Sequence, residues 1–192
     1  MSKKIFYFLF PISLFLSYPL YVSHKVSKEE NPHLYRISKC LETIEYKDEN
    51  IPSIEARGFL KLFGTHVINT TKVTGKFYSN KALVNMIFIN GDSIIENSTI
   101  QGRAVIKGNL EIRNSNFMEN LEITGKNAAI YSSDLNSIFI FSPENYEGAL
   151  LLKLLDETVI KGSIIFKSGN GKIIMKNKSK IRGSIIGGKI MD

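Results

Sequence analysis

Residues 91–107, GDSIIENSTIQGRAVIK, and residues 108–124, GNLEIRNSNFMENLEIT, are successive copies of one 17-residue unit, and Gly125 opens the next. Upstream, Gly75 and Gly58 extend the series at spacings of 16 and 17 residues. A branched apolar residue stands two places before each following glycine: Val73, Ile89, Ile106 and Ile123, with Ile140 in phase one unit later. A period near 17 is too short for a paired-helix repeat and suits one coil of a parallel β-solenoid.

Other positions repeat in step. One inward ladder reads Val67, Leu83, Ile100, Phe117, Leu135, and a second reads Thr71, Ile87, Ala104, Leu121, Ile138. Both alternate with polar neighbours at the two-residue period of a strand. The segment from Gly58 matches that from Gly108, which sets Leu60 and Leu62 on the ladders of Leu110 and Ile112 and starts the first coil near Gly58. Asn80, Asn97, Asn114 and Ser132 precede the next apolar run at equivalent points, where short polar side chains suit a bend. These read as turn residues, with stacked asparagines able to bond along the axis.

After Phe141 the rhythm is interrupted by Ser142-Pro-Glu-Asn-Tyr-Glu-Gly148, whose proline is unsuited to a central strand. It resumes at Ile160-Lys-Gly-Ser-Ile-Ile165, which recurs 21 residues later as Ile181-Arg-Gly-Ser-Ile-Ile186, with Ser168-Gly-Asn-Gly-Lys172 as a loop within the longer rung. The reading is an all-β parallel β-helix of about seven coils, roughly 34 Å long at ordinary strand separation. Residues 58–192 form this single elongated domain, and a composition 43% hydrophobic and rich in β-branched isoleucine supports strands with one continuous core.

Two elements precede it. Residues 1–25 open with Lys3-Lys4 and an uncharged run from Ile5 to Val22, the pattern of a secretion signal or of an N-terminal membrane anchor. Residues 26–57 are a linker holding a short helix: Asn31-Pro32 is a helix start, and Leu34, Ile37, Leu41 and Ile44 share one helical face. Laid across the first coil, that helix would bury Phe59 and cap the exposed strand edge, with Cys40 in the contact. A lone cysteine makes no internal disulfide.

Formal charge is +7, and removing a leader that carries Lys3, Lys4 and Lys25 without an acid leaves +4. The excess gathers at Lys167, Lys172, Lys176, Lys178, Lys180, Arg182 and Lys189, suited to an anionic membrane surface or envelope polysaccharide. That stretch lacks stacking aromatics, so no nucleic-acid partner is expected. No cofactor, metal or catalytic set can be assembled. Asp92, Glu111, Glu119, Glu122 and Asp134 fall on different ladders, Glu96 and Arg113 make a cross-rung ion pair, and His24, His33 and His66 are scattered. The chain therefore reads as a non-enzyme, with a polysaccharide-acting β-helix enzyme as the least favoured alternative.

Outward apolar positions suggest association instead. Phe88, Val105 and Phe139 share one outer ladder, and Ile68, Val84 and Met118 share another. With its short glycine-punctuated coils, Ile/Val/Leu interior and the motifs Ile106-Lys-Gly108, Ile160-Lys-Gly162 and Ile181-Arg-Gly183, the region 58–190 resembles the bactofilins, the polymer-forming cytoskeletal proteins of bacteria. That resemblance implies a single-stranded right-handed β-helix that assembles end to end without nucleotide as a scaffold near the envelope. The leader and cap helix depart from the family pattern, so association is expected through the C-terminal coil around Ile185 and Ile186, giving a dimer or a polymer. The expected place is exported: periplasmic, envelope-associated or secreted. The alternative is an exported binding module, an adhesin or host-directed factor, with residues 142–150 as its contact.

Overall fold

The computed structural model describes residues 35–36 and 42–191. Every described element is a strand, and every strand pairing is parallel. Three ladders run side by side. Sheet 1 climbs through Thr43–Lys47, residues 59–63 and 76–80, Ser93–Glu96, Leu110–Arg113, Asn127–Tyr131, Leu150–Leu155, Gly171–Met175 and Gly188–Met191. Sheet 2 is built from two-residue strands such as Thr99–Ile100, Asn116–Phe117 and Asp134–Leu135. Sheet 3 includes Ala104–Lys107, Leu121–Thr124 and Ile138–Phe141. One pass through all three makes a rung, and eight rungs are complete between Thr43 and Gly187. At about 4.8 Å per rung they extend roughly 38 Å.

Alternation decides which side chains enter the core. In Leu110–Arg113 the residues Leu110 and Ile112 are buried while Glu111 and Arg113 face out. The ladders Val73-Ile89-Ile106-Ile123-Ile140 and Thr71-Ile87-Ala104-Leu121-Ile138 are buried as their spacing predicts. Leu60 and Leu62 lie on the lines of Leu110 and Ile112. A buried Ile or Leu of this kind contributes about 1.5–3 kcal/mol, and the narrow interior makes each one touch the rung above and the rung below.

Four sequence expectations change. The ladder through Val67 continues to Val84, not Leu83, because the residue missing from this coil is lost at the corner, where Ile68 and Asn69 face Asn85 alone. Val84 is accordingly buried and leaves the outer ladder to which the spacing assigned it. The expected helix is overturned at Tyr35–Arg36 and Thr43–Lys47, which are strands paired to residues 54–55 and 59–63. Thr-Ile-Glu-Tyr-Lys alternates polar and apolar, so strand period wins over the helical spacing that ended at Ile44. The solenoid therefore begins before Gly58, with one rung ahead of those counted from that glycine. The leader, Cys40 and the rest of the expected helix lie outside the described residues.

The corners use two devices. Between sheets 3 and 1 the glycines stack, and a Cβ on Gly91, at φ +149°, would press into the carbonyl oxygen of Gly75. Between sheets 1 and 2 one residue per rung takes a left-handed conformation: Lys81, Asn97, Asn114 and Ser132 have φ between 45° and 56°. Asn80 stays in its strand one residue earlier, yet its Oδ1 accepts from Asn97 Nδ2 at 3.2 Å, and Asn97 Oδ1 accepts from Asn114 Nδ2 at 3.4 Å.

Directly inside this corner runs a hydroxyl ladder that the turn reading missed: Thr65, Ser98, Ser115, Ser133 and Thr158, all buried. Ser115 Oγ donates to the Arg113 carbonyl at 2.7 Å and accepts from the Ser98 N–H at 3.1 Å; Ser133 Oγ accepts from Ser115 N–H at 3.0 Å. Each of the three serine hydroxyls thus satisfies a backbone donor that the bend takes out of the sheet ladder, while Thr65 and Thr158 Oγ1 donate to carbonyls at the same corner. Ser115→Ala is expected to cost about 1–3 kcal/mol because it orphans the buried Ser98 N–H. A urea-unfolding midpoint equal to that of the parent chain would refute the ladder's structural role.

Candidate functional site

The residues expected to drive lateral association are placed on the outer side of sheet 3, but they do not form one stripe. Phe88 and Val105 are register partners, and Phe139 is the partner of Ile165. Between the two pairs stands Glu122, whose carboxylate accepts from Arg103 Nε at 2.9 Å and Nη2 at 3.2 Å. Phe88, Val105 and Phe139 are all half-buried, and Lys167 Nζ lies over the Phe139 ring at 5.9 Å. Ile68 and Met118 are exposed, with Asn85 and Gln101 at the intervening corners.

The last rung is different. Lys180–Ile181, Ile185–Ile186 and Gly188–Met191 each pair on one side, and among the described residues no strand covers the other. Ile181 and Ile185, which continue buried ladders, are only partly buried, and Ile190 on the line of Ile173 is 50% exposed. Ile186 is 52% exposed on the outer side. Among the described residues this rung therefore combines open backbone groups with a partly uncovered apolar interior.

Residues 142–150, the alternative contact, fold back onto the wall and run into the strand that opens at Leu150. Ser142 Oγ donates to the Tyr146 carbonyl at 2.8 Å, and the Tyr146 ring packs against the core under Lys126 Nζ at 4.7 Å. Asn170 Nδ2 donates to the Gly148 carbonyl at 2.8 Å, which ties this excursion to the loop of the next rung. The segment is a clasp across two lengthened rungs.

A concavity lies on the outer side of sheet 1, a trough of about 550 Å³ that crosses the five rungs from Lys76 to Lys153 and reaches Phe59 on the rung before. Its first bank follows the glycine corner, with Lys76, Asp92, Asn109 and Asn127 between Phe59 at one end and Leu151 at the other. Its second bank carries Tyr78, Ile94, Glu111, Ala129 and Lys153. Asp92 Oδ1 accepts from both Asn109 N–H at 2.9 Å and Asn109 Nδ2 at 3.1 Å, a cross-rung bracket that holds both side chains. Tyr78 is held as well: its hydroxyl donates to Glu96 Oε2 at 2.8 Å and accepts from Asn80 Nδ2 at 3.1 Å, and its ring meets Phe63 at 5.5 Å. Burial, then the bond to the Glu96 carboxylate, raises the Tyr78 pKa above that of an ordinary tyrosine, so the phenol stays a neutral donor.

Several other charges pair locally. Arg113 binds Glu111 on its own strand more closely than Glu96, its register partner, at 3.8 Å; Lys161 meets Asp134 at 3.2 Å and Lys178 meets Glu157 at 3.5 Å. Among the described residues no group of three or more His, Cys, Asp or Glu is placed to hold a metal, and no helix is long and apolar enough to cross a membrane. His66 lies in a strand of sheet 2, and His24 and His33 fall outside the described residues.

No protein-family model, curated protein or solved structure matches this chain. Its functional reading therefore rests on the two surfaces above. Ile185 and Ile186 are the residues that the sequence reading named on the terminal rung; Ile190 and the trough were not named. A signal for the trough existed in the recurrence of Lys76, Asp92 and Asn109 directly after successive glycines, with Asn127 two places after Gly125 and with Tyr78, Ile94 and Glu111 two places beyond the first three.

Proposed function

We propose that this chain is a non-enzymatic structural protein of the bacterial envelope, a bactofilin-like scaffold that associates with a second copy through its last rung. The observation that carries the reading is the rung left uncovered among the described residues, where Ile181, Ile185 and Ile190 continue ladders that are buried from Ile51, Ile54 and Leu60 through to Ile160, Ile164 and Ile173. A second copy of the same rung offers matching apolar positions and matching backbone donors and acceptors, so a two-fold joint satisfies both sides at once. The leader-like residues 1–25 support an exported place, and the lysines of the last two rungs suit an anionic surface beside it.

The test is sedimentation velocity of the full chain over a concentration series, with negative-stain microscopy of the same samples. End-to-end dimers or rods are expected, and Ile190→Asp is expected to weaken association at least tenfold, since a charge would be buried unpaired in the joint. Ile190 is half exposed in the single chain, so the fold should tolerate the change. Discrete monomers at every concentration would overturn the scaffold reading.

A further inference from the structure

The trough on sheet 1 lies on the side wall, apart from the end surface, and asks for a ligand of its own. We propose that it binds an extended, neutral oligosaccharide laid along the solenoid axis. Its length is the first reason. The five rungs it crosses, from Lys76–Tyr78 to Leu151–Lys153, span about 19 Å at the usual strand separation, so a narrow linear chain fits where a compact ligand would leave most of the trough empty.

The floor supplies the second reason. Its backbone groups are already engaged between rungs: Phe77 N–H donates to the Asp92 carbonyl at 3.0 Å, Ser93 N–H to the Asn109 carbonyl at 3.0 Å and Leu151 N–H to the Lys126 carbonyl at 2.9 Å. An extended peptide laid here finds no free ladder to join. Recognition falls to side chains, and these include the Asp92 carboxylate, which accepts from hydroxyl groups, and the Asn109 and Asn127 amides, which can both accept and donate. Asn127 and the two lysines make no side-chain hydrogen bond or ion pair among the described residues, so they are available. On the opposite bank the Tyr78 ring and Ile94, 41% exposed, offer an apolar surface of the kind against which a sugar ring packs its C–H face.

Charge supplies the third. Among the lining residues the two lysines, Lys76 and Lys153, are matched in number by the two carboxylates, Asp92 and Glu111. Such a lining favours neither a polyanion nor a polycation. The Asp92–Asn109 bracket and the twice-bonded Tyr78 are fixed before any ligand arrives, which lowers the ordering cost of binding.

The test titrates the full chain with hexasaccharides of glucose, mannose, galactose and N-acetylglucosamine, with the corresponding monosaccharides, with heparin and with an unstructured polar peptide. At least one neutral hexasaccharide is expected to bind saturably, its monosaccharide at least tenfold more weakly, and the bound form to shift the side-chain amide signals of Asn109 and Asn127. Ile94→Arg is expected to weaken the hexasaccharide at least tenfold without moving the melting temperature, and Ile68→Arg, on an exposed corner outside the trough, to leave it unchanged. Should Ile94→Arg unfold the chain, Asn127→Ala is read in its place. Absence of binding by every hexasaccharide, equal binding of the monosaccharide, insensitivity to the trough variant, or preference for heparin or the peptide would each overturn the assignment.

Discussion

Gly91→Ala is expected to be the most damaging small substitution in the chain, at about 4 kcal/mol. Two costs add. At φ +149° residue 91 occupies a region that side chains avoid, worth about 1–3 kcal/mol. The new Cβ would also drive into the Gly75 carbonyl, a backbone atom locked in the same stacked corner, and overpacking of that kind costs about 1–3 kcal/mol more. Gly169 is the control. It has φ +76° but nothing within 4 Å of a built Cβ, so Gly169→Ala should lose only about 1 kcal/mol, the conformational part alone. Urea unfolding of the two variants measures the difference. Equal losses would mean that the glycine ladder is a turn preference and not a steric requirement of rung stacking.

Phe117→Ala follows, at about 3–5 kcal/mol, the range for emptying a buried aromatic site. Phe117 is 2% exposed and stacks between Ile100 and Leu135 in the ladder of sheet 2, where strands two residues long leave few other contacts to close the gap. The same change at Phe88 should cost no more than about 1 kcal/mol, because that ring is half outside, on the outward side of sheet 3. The pair of variants separates interior from exterior within one residue type. Comparable losses at both positions would contradict the assignment of inward and outward faces.

The inner ladders were legible because burial in a solenoid repeats at the coil length. Ile106 and Ile123 sit at the same point of successive rungs and must meet the same neighbours, so their chemistry repeats with them. Leu83 was misplaced for a related reason. A coil one residue short can lose that residue at any corner, and only pairing across the rungs shows that Asn85 stands opposite Ile68 and Asn69. The Thr43–Lys47 strand was obscured by a competing signal: four apolar residues ending at Ile44 fit a helical face, while the alternation that makes it a strand is five residues long. The serine ladder was visible as spacing, but a serine after a turn residue reads as more turn until its buried bonds to Arg113 and Ser98 are seen.

Both candidate surfaces depend on relations that a linear reading does not hold. Ile185 and Ile186 were apparent as a repeat of Ile164 and Ile165, but that Ile190 lies half exposed at an uncovered end is a fact about which strands have neighbours. The trough joins Lys76, Asn109 and Asn127 with Tyr78 and Ile94, and its concavity arises from the heights of side chains on five adjacent strands. What the sequence by itself determined was the repeat, the inward alternation and the all-β parallel solenoid, because these follow from local periodicity and the need to bury every seventeenth apolar side chain against its own kind. What only the tertiary structure decided was the register at each corner, the number of rungs and the location of the surfaces left open, because these are set by hydrogen bonds and contacts between residues a full coil apart.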